Sequence, residues 1–125
     1  SHSQDLQETL KNIVAIVAER METEVCSLYI LDSKKNRLTL CATMGLDQES
    51  VGKVSMGISE GLTGLVIQQM KPVIVVDAQA HPRYKYFPET GEERYHSFLG
   101  VPLIEQKEPR GVSTKTIGRG SDFPV

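Results

Sequence analysis

Residues 59–77, SEGLTGLVIQQMKPVIVVD, constrain the fold more than any other stretch. Ser59 is placed to cap a helix, its hydroxyl accepting from an orphan backbone N–H. Gly61 and Gly64 mark places where backbone approaches another element or a bound molecule. Leu62, Leu65, Val66 and Met70 recur at helical spacing. Lys71-Pro72 stops the helix, because proline has no N–H and turns the preceding residue away from αR. Val73-Ile74-Val75-Val76 then reads as a strand covered on both faces and ending at Asp77. Such a unit sets a helix N-terminus, a strand end and a carboxylate at the rim of a sheet, which suits a small-molecule pocket better than a catalytic centre.

The remaining chain supplies partners for that unit. Leu6, Leu10, Ile13, Val14, Val17 and Met21 predict an amphipathic helix over 6–21, and Asp5 with Glu8 resembles a capping box. Residues 25–31 and 38–44 alternate as a β-hairpin across the polar turn 32–36. Closure by Asp32 and Arg37 puts Cys26 opposite Thr43 and Leu28 opposite Cys41. The first strand, apolar on both faces, belongs inside the sheet. A helical turn near 47–51, a short strand near 53–56, an irregular stretch 78–88, a helix near 89–95 and a strand over 97–104 follow. Pro102 restricts that last strand to an edge, a bulge or a place needing no donor. The order predicts an α+β fold, an α/β sandwich with a mostly antiparallel sheet.

Size and charge remove several functions. The 125 residues make one domain, and a net charge of −2 opposes binding to nucleic acid through bulk charge. No apolar run reaches the roughly 20 residues of a membrane span, and the polar N-terminus is no signal peptide. A cytoplasmic domain without membrane contact is expected. Cys26 and Cys41 form neither a disulfide framework nor a metal site.

EGLTGLV at 60–66, Val76-Asp77, and SFLGVPL at 97–103 resemble the successive signatures of a GAF domain. TEVCSLY at 23–29, DAQAHP at 77–82 and the run from Glu92 to Pro102 narrow the resemblance. They are similar to the N-terminal GAF domains of nitrogen-branch phosphoenolpyruvate-protein phosphotransferases. The resemblance implies a six-stranded sheet with helices on one face and a ligand pocket on the other. It implies regulation of autophosphorylation in a separate catalytic region, with glutamine or 2-oxoglutarate as effector and no cofactor. The fragment itself is not expected to be an enzyme. Partners so implied are the effector, other domains of the parent and a second copy of the chain. On this reading residues 4–112 are the GAF domain. Residues 113–125 depart from the pattern, so the last strand and the C-terminal helix are expected to be missing or altered. The sheet edge thereby opened would pair with another chain.

Seven residues are candidates for ligand binding. Ser59, Glu60 and Thr63 lie where a helix N-terminus offers N–H groups to an anion, or they simply cap it. Asp77 could accept from a ligand ammonium or amide, or hold an Asx turn. His81 could bind a carboxylate or be structural. Arg94 could hold a carboxylate bidentately, or pair with a neighbouring glutamate. Tyr84, with Tyr86, could place a ring in the pocket or plug the core. The GAF cyclic-nucleotide signature NKFDE is absent, and no cysteine lies near His81 for a bilin. Methionine sulfoxide reduction needs an activated thiol, for which the hairpin cysteines are poorly placed. A GAF module serving dimerisation alone is the rival reading.

Overall fold

The first two strands form a hairpin that sets the two faces of the sheet. The computed structural model describes residues 5–12, 24–90 and 95–118. β1 (Glu24–Asp32) and β2 (Arg37–Met44) pair antiparallel, with Asp32 opposite Arg37. Asp32 Oδ1 accepts from the N–H groups of Lys34 at 3.0 Å and Lys35 at 3.3 Å, closing the turn. The expected register holds back to Tyr29 and then shifts by one residue at a bulge. Leu28 faces Ala42 rather than Cys41, and Cys26 faces Met44 rather than Thr43. The shift brings Ser27 opposite Thr43, and their buried hydroxyls bond at 2.9 Å. Cys26, Leu28 and Ala42 gather on the opposite face.

Four further strands complete a six-stranded antiparallel sheet of order β3-β2-β1-β6-β5-β4. They are β3 (Ser55–Gly57), β4 (Val73–Val75), β5 (Tyr95–Glu105) and β6 (Glu108–Gly118). The α+β expectation is met, but its C-terminal part is overturned. Residues 113–118, expected to lie outside any strand, form the second half of β6, paired with β1 on one side and β5 on the other. Val112, Thr114, Thr116 and Ile117 are β-branched, and Val112, Thr114 and Thr116 are buried. Threonine suits a pleated surface as well as valine does, so polarity does not disqualify the segment. The central strand is present, and the open edge postulated from its loss does not arise. The C-terminal helix, expected to be missing or altered, would fall beyond the described residues.

The 73–76 run is also corrected. β4 is an edge strand bonded to β5 alone, and Ile74 and Val76 are 74% and 76% exposed. Only Val73 and Val75 join the core. β-branched residues read alike whether one face is covered or two. Because β4 reaches only Gly100 of β5, Pro102 beyond it needs no outer partner. The helix expected over 89–95 is instead a 3₁₀ turn (Pro88–Thr90), with β5 starting at Tyr95 and 91–94 outside the described residues.

The main core lies on the face carrying Tyr29, Leu38, Leu40, Phe98 and Val112, roofed by α2 (Gly61–Gln69) through Leu62 and Val66. α2 approaches closely because two glycines permit it. A Cβ on Gly64 would stand 2.4 Å from the Ile58 carbonyl oxygen, and one on Gly100 would stand 2.6 Å from Val66 Cγ2. Glu60, not Ser59, occupies the N-cap position, and no side chain caps there. Met70 ends the helix in the left-handed region, just before Lys71-Pro72. On the opposite face α1 (5–12) sets Leu10 against Cys26, Leu28 and Ala42. Leu6, expected on the buried stripe, is 51% exposed; the remainder of that predicted helix, 13–23, falls outside the described residues. α1 and α2 thus cover opposite faces of the sheet, where the resemblance implies helices on one face.

Candidate functional site: a hydroxyl-lined cavity under a strap

Alternation along the central strands points every second side chain toward α2. On β1 this row contains Val25, Ser27 and Tyr29, and on β6 it contains Thr114 and Thr116. β5 adds Tyr95 and Phe98, α2 adds Leu62 and Thr63, and the segment after β4 adds Tyr86, Phe87 and Thr90. Together they surround a cavity of about 30 Å³, space for about one or two waters. Five hydroxyl-bearing residues other than tyrosine line it: Ser27, Thr63, Thr90, Thr114 and Thr116, all buried. Buried hydroxyls cost free energy unless they are bonded. Ser27 bonds Thr43 at 2.9 Å and Thr90 Oγ1 donates to the Phe87 carbonyl at 2.9 Å, so part of this polar lining is satisfied from within the protein, where a core built only for packing would favour valine. No charged side chain lines the cavity among the described residues.

Residues 81–90 cross the cavity as a strap. Its Arg83 donates through Nη1 to Gln68 Oε1 at 2.7 Å and through Nη2 to the Gly61 carbonyl at 3.2 Å. Arg83 Nη2 also reaches the Ile58 carbonyl at 3.4 Å, while Nε is buried without a bond. Lys85 pairs with Glu60 Oε2 and stands 5.2 Å from the Phe87 ring centre. Glu60 Oε1 accepts from the Gly57 N–H at 3.0 Å. The Lys85 hydrogen bond, then the Gly57 N–H, hold the Glu60 carboxyl below the usual carboxylate range. At the far end, Asp47 N–H donates to the Thr90 carbonyl at 2.9 Å. From the strap, Tyr84 meets Tyr95 of β5 edge to face at 5.1 Å, and Tyr95 meets Phe98 at 6.1 Å.

The candidate residues separate into distinct environments. Thr63 lines the cavity. Tyr84 packs against the core beside it, and its neighbour Tyr86 reaches the lining. Glu60 belongs to the strap's ion pair. His81 Nδ1 accepts from the Arg83 N–H at 3.0 Å at the start of the strap. Ser59 and Asp77 are exposed, and Asp77 makes no side-chain cap bond. Arg94 lies outside the described residues. Sequence reasoning missed Arg83 and Lys85 as clips and Ser27, Thr114 and Thr116 as lining. The available signal was threonine at 114 and 116, the strand period, beside the β-branched Val112.

A wider hollow, about 420 Å³, lies between α1 and the end of β2. Its Gln7, Glu8 and Lys11 walls are exposed, so it would bury little of a solute. The thiols offer no activated nucleophile: burial raises both Cys26 and Cys41, and only Cys41 has an opposing contribution, a backbone bond at Ile30. No group of three or more His, Cys, Asp or Glu able to hold a metal is found among the described residues. No helix among them is long and apolar enough to cross a membrane.

The GAF_2 model of the GAF domain matches residues 3–114. The solved GAF domain of a phosphoenolpyruvate-protein phosphotransferase (ptsP) from Coxiella burnetii is 41% identical, with a TM-score of 0.84 over 94% of this chain and 70% of that one. The corresponding Acinetobacter domain is 39% identical, with a TM-score of 0.80 over 94% of this chain and 69% of that one. The Escherichia coli protein described as phosphoenolpyruvate-dependent phosphotransferase system is 40% identical over 82% of this chain, which spans only 14% of its length. Free methionine-R-sulfoxide reductase from Thermoplasma acidophilum has a TM-score of 0.76 over 96% of this chain and 80% of that one, but 20% identity, a likeness of fold alone. By family model, fold and identity, the chain belongs to the GAF domain family.

Proposed function

We propose that this chain is the regulatory GAF domain of a cytoplasmic nitrogen-branch phosphoenolpyruvate-protein phosphotransferase, receiving a small nitrogen metabolite in the cavity under the strap. Occupancy would control autophosphorylation in a separate catalytic region, with glutamine or 2-oxoglutarate as effector. The observation that carries this reading is the set of buried hydroxyls around the cavity. Kinship with phosphotransferase GAF domains supports the parent activity.

Thermal unfolding of the 125-residue chain with each metabolite tests it. A ligand at 100 times its dissociation constant stabilises by about 2.7 kcal/mol. Thr114→Val, which removes a lining hydroxyl, should reduce that shift without unfolding the protein. No shift from either compound at millimolar concentration overturns the sensing role. The cavity's small size favours a second reading, an interaction module with no ligand: about 30 Å³ compares with roughly 300–1,000 Å³ for ligand pockets. Self-association of the chain without any metabolite shift would select it.

A further inference from the structure

We propose that residues 81–90 are a liftable strap: Tyr86 and Phe87 fill the mouth of the cavity, and Arg83 with Lys85 sets how often it opens. Three observations converge. The cavity holds only about 30 Å³ while Tyr86 and Phe87 are in place. Those two rings come from the strap, so lifting it enlarges the space without parting any strand pair. Beside the core packing of Tyr84 and Phe87, the side-chain clips that hold the strap down, Arg83 and Lys85, are polar and partly wet. Lys85 and Glu60 have side-chain exposures of 50% and 32%, the regime in which ion pairs contribute little.

Arg83 bonds to α2 and to the turn before it, but two of its bonds are long and its Nε is buried with no bond. Its strongest partner, Gln68, belongs to a bond that is itself exposed. The ends of the strap are held differently, by the Asp47–Thr90 backbone bond at one end, and at the other by the His81 N–H donating to the Ala78 carbonyl at 3.0 Å and by Tyr84 packing on the core. A segment anchored at both ends and clipped weakly between them opens locally before the sheet unfolds. The solute and the two rings then compete for one space, so occupancy is linked to breaking the Lys85–Glu60 and Arg83 contacts. The purpose of the strap rests on the sensing role above, whereas its opening can be measured with no ligand present.

The experiment uses two thiols that report different openings. In a Cys41→Ser, Thr114→Cys chain, one thiol faces the cavity and Cys26 remains buried on the opposite face of the sheet. Thiol labelling with an excess of small disulfide reagent, followed by peptide mass analysis, gives both rates in one molecule. The expected result is faster labelling at position 114 than at Cys26, with Arg83→Ala/Lys85→Ala accelerating position 114 by about tenfold and leaving Cys26 unchanged. Equal rates at the two positions would mean that the cavity opens only by global unfolding, and the strap would be refuted. An unchanged rate at 114 in the clip variant refutes the role of Arg83 and Lys85. If the double variant accelerates Cys26 as well, Lys85→Ala alone gives the same comparison in a folded background. A strap that opens in the labelled chain while glutamine and 2-oxoglutarate leave the thermal midpoint of the parent chain, with Thr114 in place, unaltered sinks the sensing role but not the strap.

Discussion

Ending the chain at Val112 should abolish the fold, because residues 113–118 are half of a central strand. They pair with five positions of β1, from Glu24 to Leu28, and with six of β5, from Tyr95 to Val101. An antiparallel ladder averages about one backbone bond per residue pair, so roughly ten bonds go with them. At about 1 kcal/mol net for each, the loss is of the order of 10 kcal/mol. A domain of this size has a total stability of about 5–15 kcal/mol. Thr114 and Thr116 leave with the segment, exposing the Ser27 side of β1 and the Phe98 side of β5 to water. Far-UV circular dichroism and urea titration of chains 1–112 and 1–125 make the comparison. The expected outcome is a cooperative transition in the longer chain and none in the shorter. A shorter chain unfolding with the same midpoint and the same urea slope would show 113–118 to be peripheral, and the account of β6 would be wrong.

Gly64→Ala is predicted to destabilise despite the better helix former. Helix propensity gains about 1 kcal/mol, but the new Cβ would meet the Ile58 carbonyl oxygen at 2.4 Å, and overpacking against backbone costs about 1–3 kcal/mol or more; a urea midpoint equal to or above that of the parent refutes the close approach. Glu60 should make stability depend on acid: its folded pKa is depressed first by the Lys85 bond, so its contribution is present above the ordinary glutamate pKa and lost as pH falls through the folded value. Glu60→Gln should therefore flatten the stability profile below about pH 4.5, by no more than about 1 kcal/mol for so exposed a pair, and identical profiles for the two proteins would remove Glu60 from the latch.

What could be read from residue order was whatever depended on periodicity and steric exclusion. The hairpin and its Asp32–Arg37 closure follow from alternation around a polar turn, and α2 follows from the glycine pair, the apolar spacing and Lys71-Pro72. The bulge beside Leu28 was not legible, since both registers place acceptable residues opposite each other until the Ser27–Thr43 bond decides. The edge position of β4 was hidden for a related reason. Val73-Ile74-Val75-Val76 would satisfy a two-sided core, and only the pairing of neighbouring strands reveals that Ile74 and Val76 face solvent.

The site was less legible than the fold because its walls come from segments far apart in the chain. Ser27 and Thr114 are 87 positions apart yet paired across β1 and β6. Reading Ser113-Thr114-Lys115-Thr116 as too polar for a strand discarded the very side chains that line the cavity. The error is physical: polarity disfavours burial in an apolar core, but around a cavity a hydroxyl is worth its desolvation only if something polar stands opposite. A strand that is β-branched by shape and polar by chemistry therefore points toward an interior prepared for a solute or a water. The strap follows the same logic. Arg83 and Lys85 look like surface charge in sequence, and become clips only when α2 presents Gln68 and the Gly61 carbonyl, and its N-cap residue Glu60, beneath them.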